Sequence, residues 1–486
     1  MLTSLWKVTR AMTNNLVVIL SDEHQARAMG CAGHEFVRTP NLDKLASKGM
    51  RFTNASTPSP ICVPARAAFA SGRYVHETGH WDNAMPYTGI PKGWGHQLQD
   101  AGIPVESIGK LHYRDPSDPV GFDREHIPMM VKDGVGMVWA CIRQEERRLQ
   151  GTSRMLGDYI GPGSSAYTDY DNAVVKSTLD WLDAAKDNVG GWCLFVGLVA
   201  PHFPLVCPEQ FYSIYENVDF PKAKLHPADG FRRHPWIERQ NALMDSESNF
   251  EDAAERKRAF IAYYGLVSWL DHNIGKILDR IEKTDLAKTT NIIYTSDHGD
   301  NVGARGLWGK SNMYEESVAV PLIMTGPDIK HGTCKTAVSL LDVSATIPEL
   351  FNLPVQKDAK GTHLNEICRQ PENTRRIVFS EYHAAGAVSG AFMIRKGRYK
   401  LIHYAGFDPE LFDLVNDPEE TRDLANAPEL HSVRKELYGA LYSICDPDAV
   451  DRQAHADQQA LVDSYGGFEI AKTLGAKAAT PPPEIK

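Results

Sequence analysis

The chain has 486 residues, of which 42% are hydrophobic and 23% are charged, and its formal net charge is −10. This composition is ordinary for a globular protein with ample material for a core. No dense run of Lys and Arg is present, which argues against a dedicated nucleic-acid-binding protein. An anionic substrate would need a local basic pocket, because the overall charge does not attract it.

Neither a secretory signal nor a membrane span is predicted. The N-terminus has no long apolar segment ahead of a cleavage site, and no run of about 18 apolar residues occurs. The eight cysteines at positions 31, 62, 141, 193, 207, 334, 368 and 445 are scattered and form no CxxC pair. We therefore expect reduced thiols in a cytoplasmic protein.

Three apolar segments predict buried strands, and each one runs into polar residues. Residues 15–20 lead into Asp22 and Glu23, residues 191–200 lead into His202, and residues 291–296 lead into Asp297 and His298. Helical patterns at 40–49, 65–73 and 260–283 alternate with these strands. Such alternation predicts an α/β fold with a large mixed, mostly parallel sheet sandwiched by helices. Sites in such sheets lie outside the carboxyl ends of the strands.

The sequence changes character from about residue 375. Short strand-like runs at 377–382, 391–395 and 399–403 are separated by glycines and prolines, and a helical pattern follows at 431–443. They predict a smaller C-terminal α+β domain carrying an antiparallel sheet. The predicted division is therefore a large domain over 1–370, a small domain over 371–446 and a tail over 447–486. The Ala- and Pro-rich end of the tail is expected to be loose or to make oligomer contacts.

The acidic residues after the first and third strands predict a metal site. Asp22 and Glu23 end one strand, and Asp297 and His298 end another that is far away in the sequence. A single acidic pair after a strand is more often a cap or a loop. Two such pairs at corresponding strand ends favour one divalent cation, because hard cations prefer carboxylate oxygens and some accept a histidine nitrogen.

The segment from Cys62 to Arg66 predicts an anion site at the start of a helix. A helix N-terminus offers unpaired N–H groups, and Arg66 adds a planar fork that binds oxyanions. Lys110 and His112 are two residues apart, so they point the same way on an extended segment. His202 lies between prolines, and Lys310 follows a glycine-rich stretch. Taken alone, Cys62 could be a buried structural thiol, each lysine a surface residue and each histidine a structural residue.

In combination these motifs resemble the type I sulfatases of the alkaline phosphatase superfamily. The most specific element is the C-x-P-x-R core at 62–66 followed by Ala-Ser-Gly-Arg at 70–73. The second is Asp297-His298-Gly299 after Thr-Ser, and the third is the Gly-Lys-Leu-His segment at 109–112. The resemblance extends from about residue 15 into the small C-terminal domain, and it implies that the larger domain is the catalytic sulfatase domain.

The resemblance implies that Cys62 is oxidised by a separate maturation enzyme to formylglycine, an aldehyde that hydrates to a geminal diol. One divalent metal would be held by Asp22, Glu23, Asp297 and His298, with the diol as a further ligand. Calcium is expected first, with Mn or Mg as alternatives. One hydroxyl of the diol would attack sulfur, and the other would later lose its proton, expel sulfate and restore the aldehyde.

The resemblance also implies roles for the basic residues. Arg66 and Lys110 would hold the modified residue and stabilise its ionised form, and His112 would contact its second hydroxyl. Lys310 and His202 would contact the ester and its leaving oxygen, with His202 as a general acid if it is protonated. The amide of Asn83 is a further expected sulfate contact.

Two residues depart from the common family pattern. Glu23 stands where many sulfatases have aspartate, so its extra methylene implies a different ligand geometry or a ligand from a neighbouring residue. Ala65 stands where serine is commonest, which bears on the maturation of Cys62.

The resemblance is strongest to the choline-sulfatase-like branch and the related phosphonate monoester hydrolases, which implies a homo-oligomer. Three functions follow: hydrolysis of aryl or small alkyl sulfates, hydrolysis of phosphonate monoesters or phosphodiesters with the same nucleophile, or a binding protein whose Cys62 is never oxidised. A choline substrate would need an aromatic cage for its quaternary ammonium. The aromatic residues considered for it are Trp81, Tyr87, Trp94, Trp139 and Phe203.

Overall fold

The structure is a computed structural model that describes residues 15–141, 143, 154–187, 190–243, 245–476 and 479–485. Its strands are β1 (Asn15–Asp22), β2 (Met50–Phe52), β3 (Ala55–Ser56), β4 (Val105–Lys110), β5 (Arg124–Met129), β6 (Gly161–Pro162), β7 (Cys193–Pro201), β8 (Val206–Cys207), β9 (Thr290–Ser296), β10 (Leu322–Thr325), β11 (Gly332–Cys334), β12 (Val338–Ser339), β13 (Ile377–Tyr382), β14 (Ala391–Lys396), β15 (Tyr399–Tyr404) and β16 (Glu410–Asp413). Its helices are α1 (Pro40–Lys48), α2 (Cys62–Ser71), α3 (Val75–Thr78), α4 (Trp94–Asp100), α5 (Ala166–Ala185), α6 (Glu209–Tyr212), α7 (Pro235–Asn241), α8 (Ala253–Glu282), α9 (Glu315–Val318), α10 (Leu340–Glu349), α11 (Leu364–Arg369), α12 (His431–Ile444), α13 (Pro447–Ser464) and α14 (Phe468–Ala471).

The centre of the molecule is an eight-stranded sheet with the order β11-β2-β10-β9-β1-β7-β4-β5. Strand β10 runs antiparallel to both of its neighbours, and the other adjacent pairs are parallel. The predicted α/β class with a mixed, mostly parallel sheet is therefore confirmed.

Both faces of this sheet are covered, as the apolar strands require. In β1, Val17 and Ile19 belong to the core on one face, where α5 and α8 pack. Leu16, Val18 and Leu20 belong to the core on the other face, which includes residues of α2, α4 and α10. Successive side chains of a strand point to opposite faces, so a continuous apolar run fits a strand buried on both sides.

A second sheet contains the antiparallel strands β13-β14-β15-β16. One face carries Phe392, Ile394 and Leu401 and packs with α12. The other face carries Met393 and Ile402 and packs with Trp236, Tyr314 and neighbours from the larger unit. The predicted C-terminal antiparallel sheet is confirmed, and these strands and α12 fall within the predicted range 371–446.

Several elements differ from the sequence-based expectations. Helix α8 begins at Ala253, seven residues before the predicted start, and β4, α5, α10 and α13 were not predicted as elements. The predicted tail begins with the helix α13, whose residues Ala454 and Val462 are buried against the larger unit. Near the other end Thr480 is buried as well, which a loose terminus would not show.

All eight cysteines are free thiols in the described structure, as expected from their spacing. Among the described residues, no helix combines the length and the apolar composition that crossing a membrane requires.

Candidate active site

Four neighbouring parallel strands deliver the predicted polar residues to one edge of the sheet. Asp22 is the last residue of β1, Lys110 is the last residue of β4, and His202 follows β7 directly. Asp297 and His298 follow β9. Because β9, β1, β7 and β4 lie side by side, residues as far apart in the sequence as Asp22 and His298 converge here. This is the edge at which sites occur in open parallel sheets.

Cys62 lies at this edge because α2 begins there. It is the first residue of the helix, and its Sγ lies 3.6 Å from Asp22 Oδ1 and 3.3 Å from His298 Nε2. The side chain of Ile61 does not cap the helix; instead the Val63 N–H donates to Asn83 Oδ1 at 3.1 Å. Burial and the charge of Asp22 raise the pKa of the Cys62 thiol to about 12, so the thiol is protonated at neutral pH.

A buried cluster of possible metal ligands surrounds this position. Ligand atoms of Asp22, Cys62, Asp297 and His298 all lie within 4.8 Å of one another, and all four residues are buried. Two carboxylates and one imidazole form a donor set that suits Ca²⁺ or Mn²⁺. In a buried site such acids require a cationic partner, since desolvation penalises uncompensated charge. These residues therefore fit one divalent cation.

Arg66 links the two acidic ligands from within α2. Its Nη2 lies 3.1 Å from Asp22 Oδ2, its Nε lies 2.8 Å from Asp297 Oδ2, and its Nη1 donates to the Lys110 carbonyl at 2.9 Å. Lys110 Nζ in turn lies 2.6 Å from Asp22 Oδ2. The cations around it hold the pKa of Asp22 well below its usual range, although burial alone would raise it. Arg66 therefore bridges the two acids beside residue 62, and its expected role in holding the modified residue stays a prediction.

Glu23 lies in a different arrangement from Asp22. Its Oε2 accepts from Lys310 Nζ at 2.8 Å and lies 3.3 Å from His202 Nε2, and its backbone N–H donates to Asp297 Oδ1. Its Oε1 is buried and has no hydrogen-bond partner in the described structure. Glu23 also has a φ of 70°, the left-handed region, which is uncommon for this residue type. Its ligand atoms group with those of Asp22 and His202 and not with the cluster that contains Asp297 and His298, so the expected role of Glu23 as a ligand of the same cation stays a prediction.

Lys310 and His202 both lie beside Phe203 and Glu23. Lys310 Nζ lies 4.9 Å from the centre of the Phe203 ring, and His202 Nδ1 lies 2.5 Å from the Phe203 carbonyl oxygen. Burial and the charge of Lys310 lower the pKa of His202 well below its usual value. Its Nδ1–H donates to the Phe203 carbonyl, and its Nε2 faces Glu23.

A cavity of about 60 Å³ opens onto Cys62. It is lined by the predicted residues Asn83, Lys110, His112, His202 and Lys310. Of the aromatic residues considered for a cage, Trp139 and Phe203 line it, whereas Trp81, Tyr87 and Trp94 belong to buried core clusters. Those three were wrong candidates, because their rings pack in the interior away from the cavity.

Sequence reasoning missed several residues at this site. Tyr167 from α5, Trp308 and Thr480 also line the cavity. Asp171, one turn after Tyr167, accepts from the backbone N–H groups of Val199 and Ala200 and so holds the end of β7. No local motif marks these residues, since their role depends on which elements pack against the sheet edge.

The sequence of the chain matches a family model described as sulfatase over residues 14–353 and one described as N-sulphoglucosamine sulphohydrolase, C-terminal, over residues 303–446. It is 32% identical over 430 residues to a choline-sulfatase of Rhizobium meliloti (strain 1021), covering 85% of this chain and 83% of that protein. It is 27% identical over 467 residues to human (Homo sapiens) arylsulfatase K, covering 89% and 83%. The fold resembles that of a phosphonate monoester hydrolase of Agrobacterium radiobacter, with a TM-score of 0.71, 21% identity and coverage of 91% and 96%.

Proposed function

We propose that this chain, which belongs to the sulfatase family and is a sulfuric ester hydrolase, cleaves small sulfate monoesters with a nucleophile made from Cys62. One observation carries the proposal. Cys62 contacts Asp22 and His298 on the acidic side and also lines the cavity that Lys110, His112, His202 and Lys310 share. A nucleophile at this position has the cluster of possible metal ligands on one side and a cavity lined by basic residues on the other.

The unmodified thiol is a poor nucleophile in this setting. Its raised pKa keeps it protonated, and the thiolate is the reactive form of cysteine. Sulfatases use a formylglycine made from this cysteine together with a divalent metal. We therefore propose that Cys62 is converted to formylglycine and that Asp22, Asp297 and His298 hold the cation, with Glu23 Oε1 as a further ligand. When bound, the cation lowers the pKa of the attacking hydroxyl and orients it.

We propose calcium as the metal, with Mn or Mg as alternatives. The acids contribute hard oxygen donors, which calcium prefers, and the single imidazole of His298 is compatible with manganese.

The basic residues would bind and stabilise the sulfate group. Lys310 and Lys110 place two ammonium groups at the cavity, where they would compensate the charge on the ester oxygens as the S–O bond breaks. The Asn83 Oδ1 accepts from the Val63 N–H at the start of α2, so the amide N–H₂ of Asn83 is the group that would donate to sulfate. His112 would contact the second hydroxyl of residue 62. His202 would contact the leaving oxygen and, when protonated, act as its general acid.

The walls of the cavity indicate an apolar leaving group. Trp139, Trp308, Tyr167 and Phe203 line it, so a flat aryl group would pack well. The choline-sulfatase relative makes choline sulfate a second test substrate. The Phe203 face already lies over the Lys310 ammonium, which leaves fewer rings for a quaternary ammonium.

The test compares kcat/KM on an aryl sulfate, a phosphodiester and a phosphonate monoester with the same leaving group, and on choline sulfate. The mass of the tryptic peptide containing residue 62 is measured on the same protein. We expect formylglycine at this position and the sulfate ester as the best substrate, with Cys62→Ala inactive and Cys445→Ala, at a remote cysteine, unchanged. A sulfate rate far below the phosphonate or phosphodiester rate would favour the phosphonate monoester hydrolase alternative. An unmodified thiol in protein from its natural host would favour the binding-protein alternative.

Three further properties of the protein are also proposed. The maturation of Cys62 requires a formylglycine-generating enzyme as a partner, and the chain is proposed to form a homo-oligomer. A cytoplasmic location is supported by the eight free cysteines. The domain boundaries at 370 and 446 likewise stay a prediction.

A further inference from the structure

The chain returns to its own active site at its C-terminal end. Thr480 is 5% exposed, and it lines the cavity together with Ala479. Its Oγ1 lies 2.8 Å from His112 Nε2, and its backbone carbonyl accepts from the Tyr167 hydroxyl at 2.6 Å. The C-terminal segment, of which residues 474–476 and 479–483 are described, therefore contacts two residues of the cavity through a single threonine.

Two upstream contacts hold this segment in place. Trp139 Nε1, in the cavity wall, donates to the Ala476 carbonyl at 2.8 Å. Gly475 packs so tightly that a Cβ placed on it would come within 1.3 Å of the Gly136 carbonyl oxygen, and its φ of 80° lies in the left-handed region. No residue with a side chain fits such a contact, so the close approach depends on glycine.

Three prolines follow Thr480 and direct the chain away from the cavity. A residue before proline is restricted to extended conformations, and consecutive prolines form a stiff extended helix. Pro481 is exposed, as are Glu484 and Ile485. The threonine is thus the last buried residue of the segment.

His112 depends on this contact because its ring has few others. Its Nδ1 is buried and has no hydrogen-bond partner in the described structure, so Thr480 is the hydrogen-bond partner that the ring has there. In a neutral imidazole one nitrogen donates and the other accepts, and the bond at one nitrogen decides the role of the other. A threonine hydroxyl can donate or accept, so the contact with Thr480 holds the orientation of the His112 ring in either tautomer.

We propose that the C-terminal segment forms a wall of the active site of its own subunit and that Thr480 is the positioning residue for His112. The inference rests on the proposed function, in which His112 contacts the second hydroxyl of residue 62. It gives the end of the chain a specific role in addition to any oligomer contact.

The kinetic test uses one substitution that keeps the shape of the side chain and one that keeps its hydroxyl. Thr480→Val keeps the shape of the wall but removes the hydroxyl, and we expect kcat to fall about tenfold while KM changes less than about twofold. Thr480→Ser restores the hydroxyl and is expected to keep kcat within about twofold of the wild type. A Thr480→Val enzyme with wild-type kcat would overturn the positioning role.

Truncations test the wall as a whole. Removing residues 480–486 is expected to lower kcat at least as much as Thr480→Val and to change KM as well, because the cavity then opens to solvent. Removing only residues 484–486 is the matched control and should leave both constants unchanged. Co-expression of full-length Cys62→Ala with the 480–486 deletion distinguishes the two possible origins of the segment. Recovered activity would show that the segment acts across subunits and would overturn its assignment to its own subunit.

A measurement independent of activity separates this inference from the proposed function. Thr480→Cys and Ile485→Cys are labelled with a maleimide, and the C-terminal peptide of each is followed by mass spectrometry. We expect the buried thiol at 480 to react at least about tenfold more slowly than the thiol at 485, where the native side chain is 49% exposed. Equal rates would show that the segment does not dock, even if the enzyme proves to be an active sulfatase. Slow labelling in an inactive protein would leave the docked segment intact while refuting the proposed function.

Discussion

Replacing Arg66 tests whether the buried ion cluster organises the site. The side chain is 1% exposed, and it makes two bonds to carboxylates and one to a carbonyl. Arg66→Ala leaves Asp22 and Asp297 close together with less compensating charge. Breaking a buried ion pair by removing one partner costs about 3–5 kcal/mol, so we expect the free energy of unfolding to fall by that amount.

Arg66→Lys separates charge from geometry. An ammonium group keeps the charge, but it has no planar fork and cannot hold both carboxylates as the guanidinium does. We expect it to recover only part of the loss, leaving a deficit of about 2 kcal/mol.

The assay is urea unfolding followed by tryptophan fluorescence and circular dichroism, with and without added Ca²⁺. A cation at Asp22 and Asp297 would compensate the charge that loses its partner in Arg66→Ala, so Ca²⁺ should stabilise this variant more than the wild type. Lys176→Ala is the control, because Lys176 forms an exposed i,i+4 pair with Asp180 and should cost less than about 1 kcal/mol. A loss below about 1 kcal/mol for Arg66→Ala would refute this account of the cluster.

Three further predictions concern the cavity and the contact between α3 and the second sheet. Lys310→Ala should lower kcat/KM for an aryl sulfate about 10²- to 10³-fold, as measured by steady-state kinetics, because it removes charge compensation; a loss below tenfold would contradict that role. Asn83→Ala should lower kcat/KM, and it should lower the free energy of unfolding in urea by about 1 kcal/mol. Asn83→Asp should keep the hydrogen bond to the start of α2 and remain stable, but it should lose activity because the carboxylate repels sulfate. Burial disfavours the charged form of His76, but Glu381 at 2.8 Å raises the pKa of His76 above the usual value. The contribution of this ion pair to the free energy of unfolding is therefore present below about pH 6.5 and is lost as pH rises through the folded-state pKa. Urea unfolding of His76→Gln at several pH values should therefore show its deficit at pH 6 and little deficit at high pH; a deficit that is constant with pH would contradict this.

The apolar strands and their polar ends could be predicted because these features are local. A run such as Leu16–Leu20 with no polar residue can be stable only as a strand covered on both faces, and Asp22 at its end has no place in the core without a partner. The same argument located His202 and Asp297, and the resemblance supplied the chemistry of Cys62. The helix α13 lacks such a pattern because it is polar along most of its length, and its position depends on what it packs against.

The sequence by itself therefore determined the fold class, the family and the residues around Cys62. Only the tertiary structure decided how those residues divide their contacts. In the folded chain Glu23 contacts Lys310 and His202, and Arg66 forms ion pairs with both acids. Thr480 forms a hydrogen bond with His112, which is 368 positions away in the sequence. The physical reason is that hydrogen bonds and ion pairs act over a few ångströms. Which groups come that close is set by the order of the strands and by the packing of the C-terminal segment, and no local pattern in the sequence records either one.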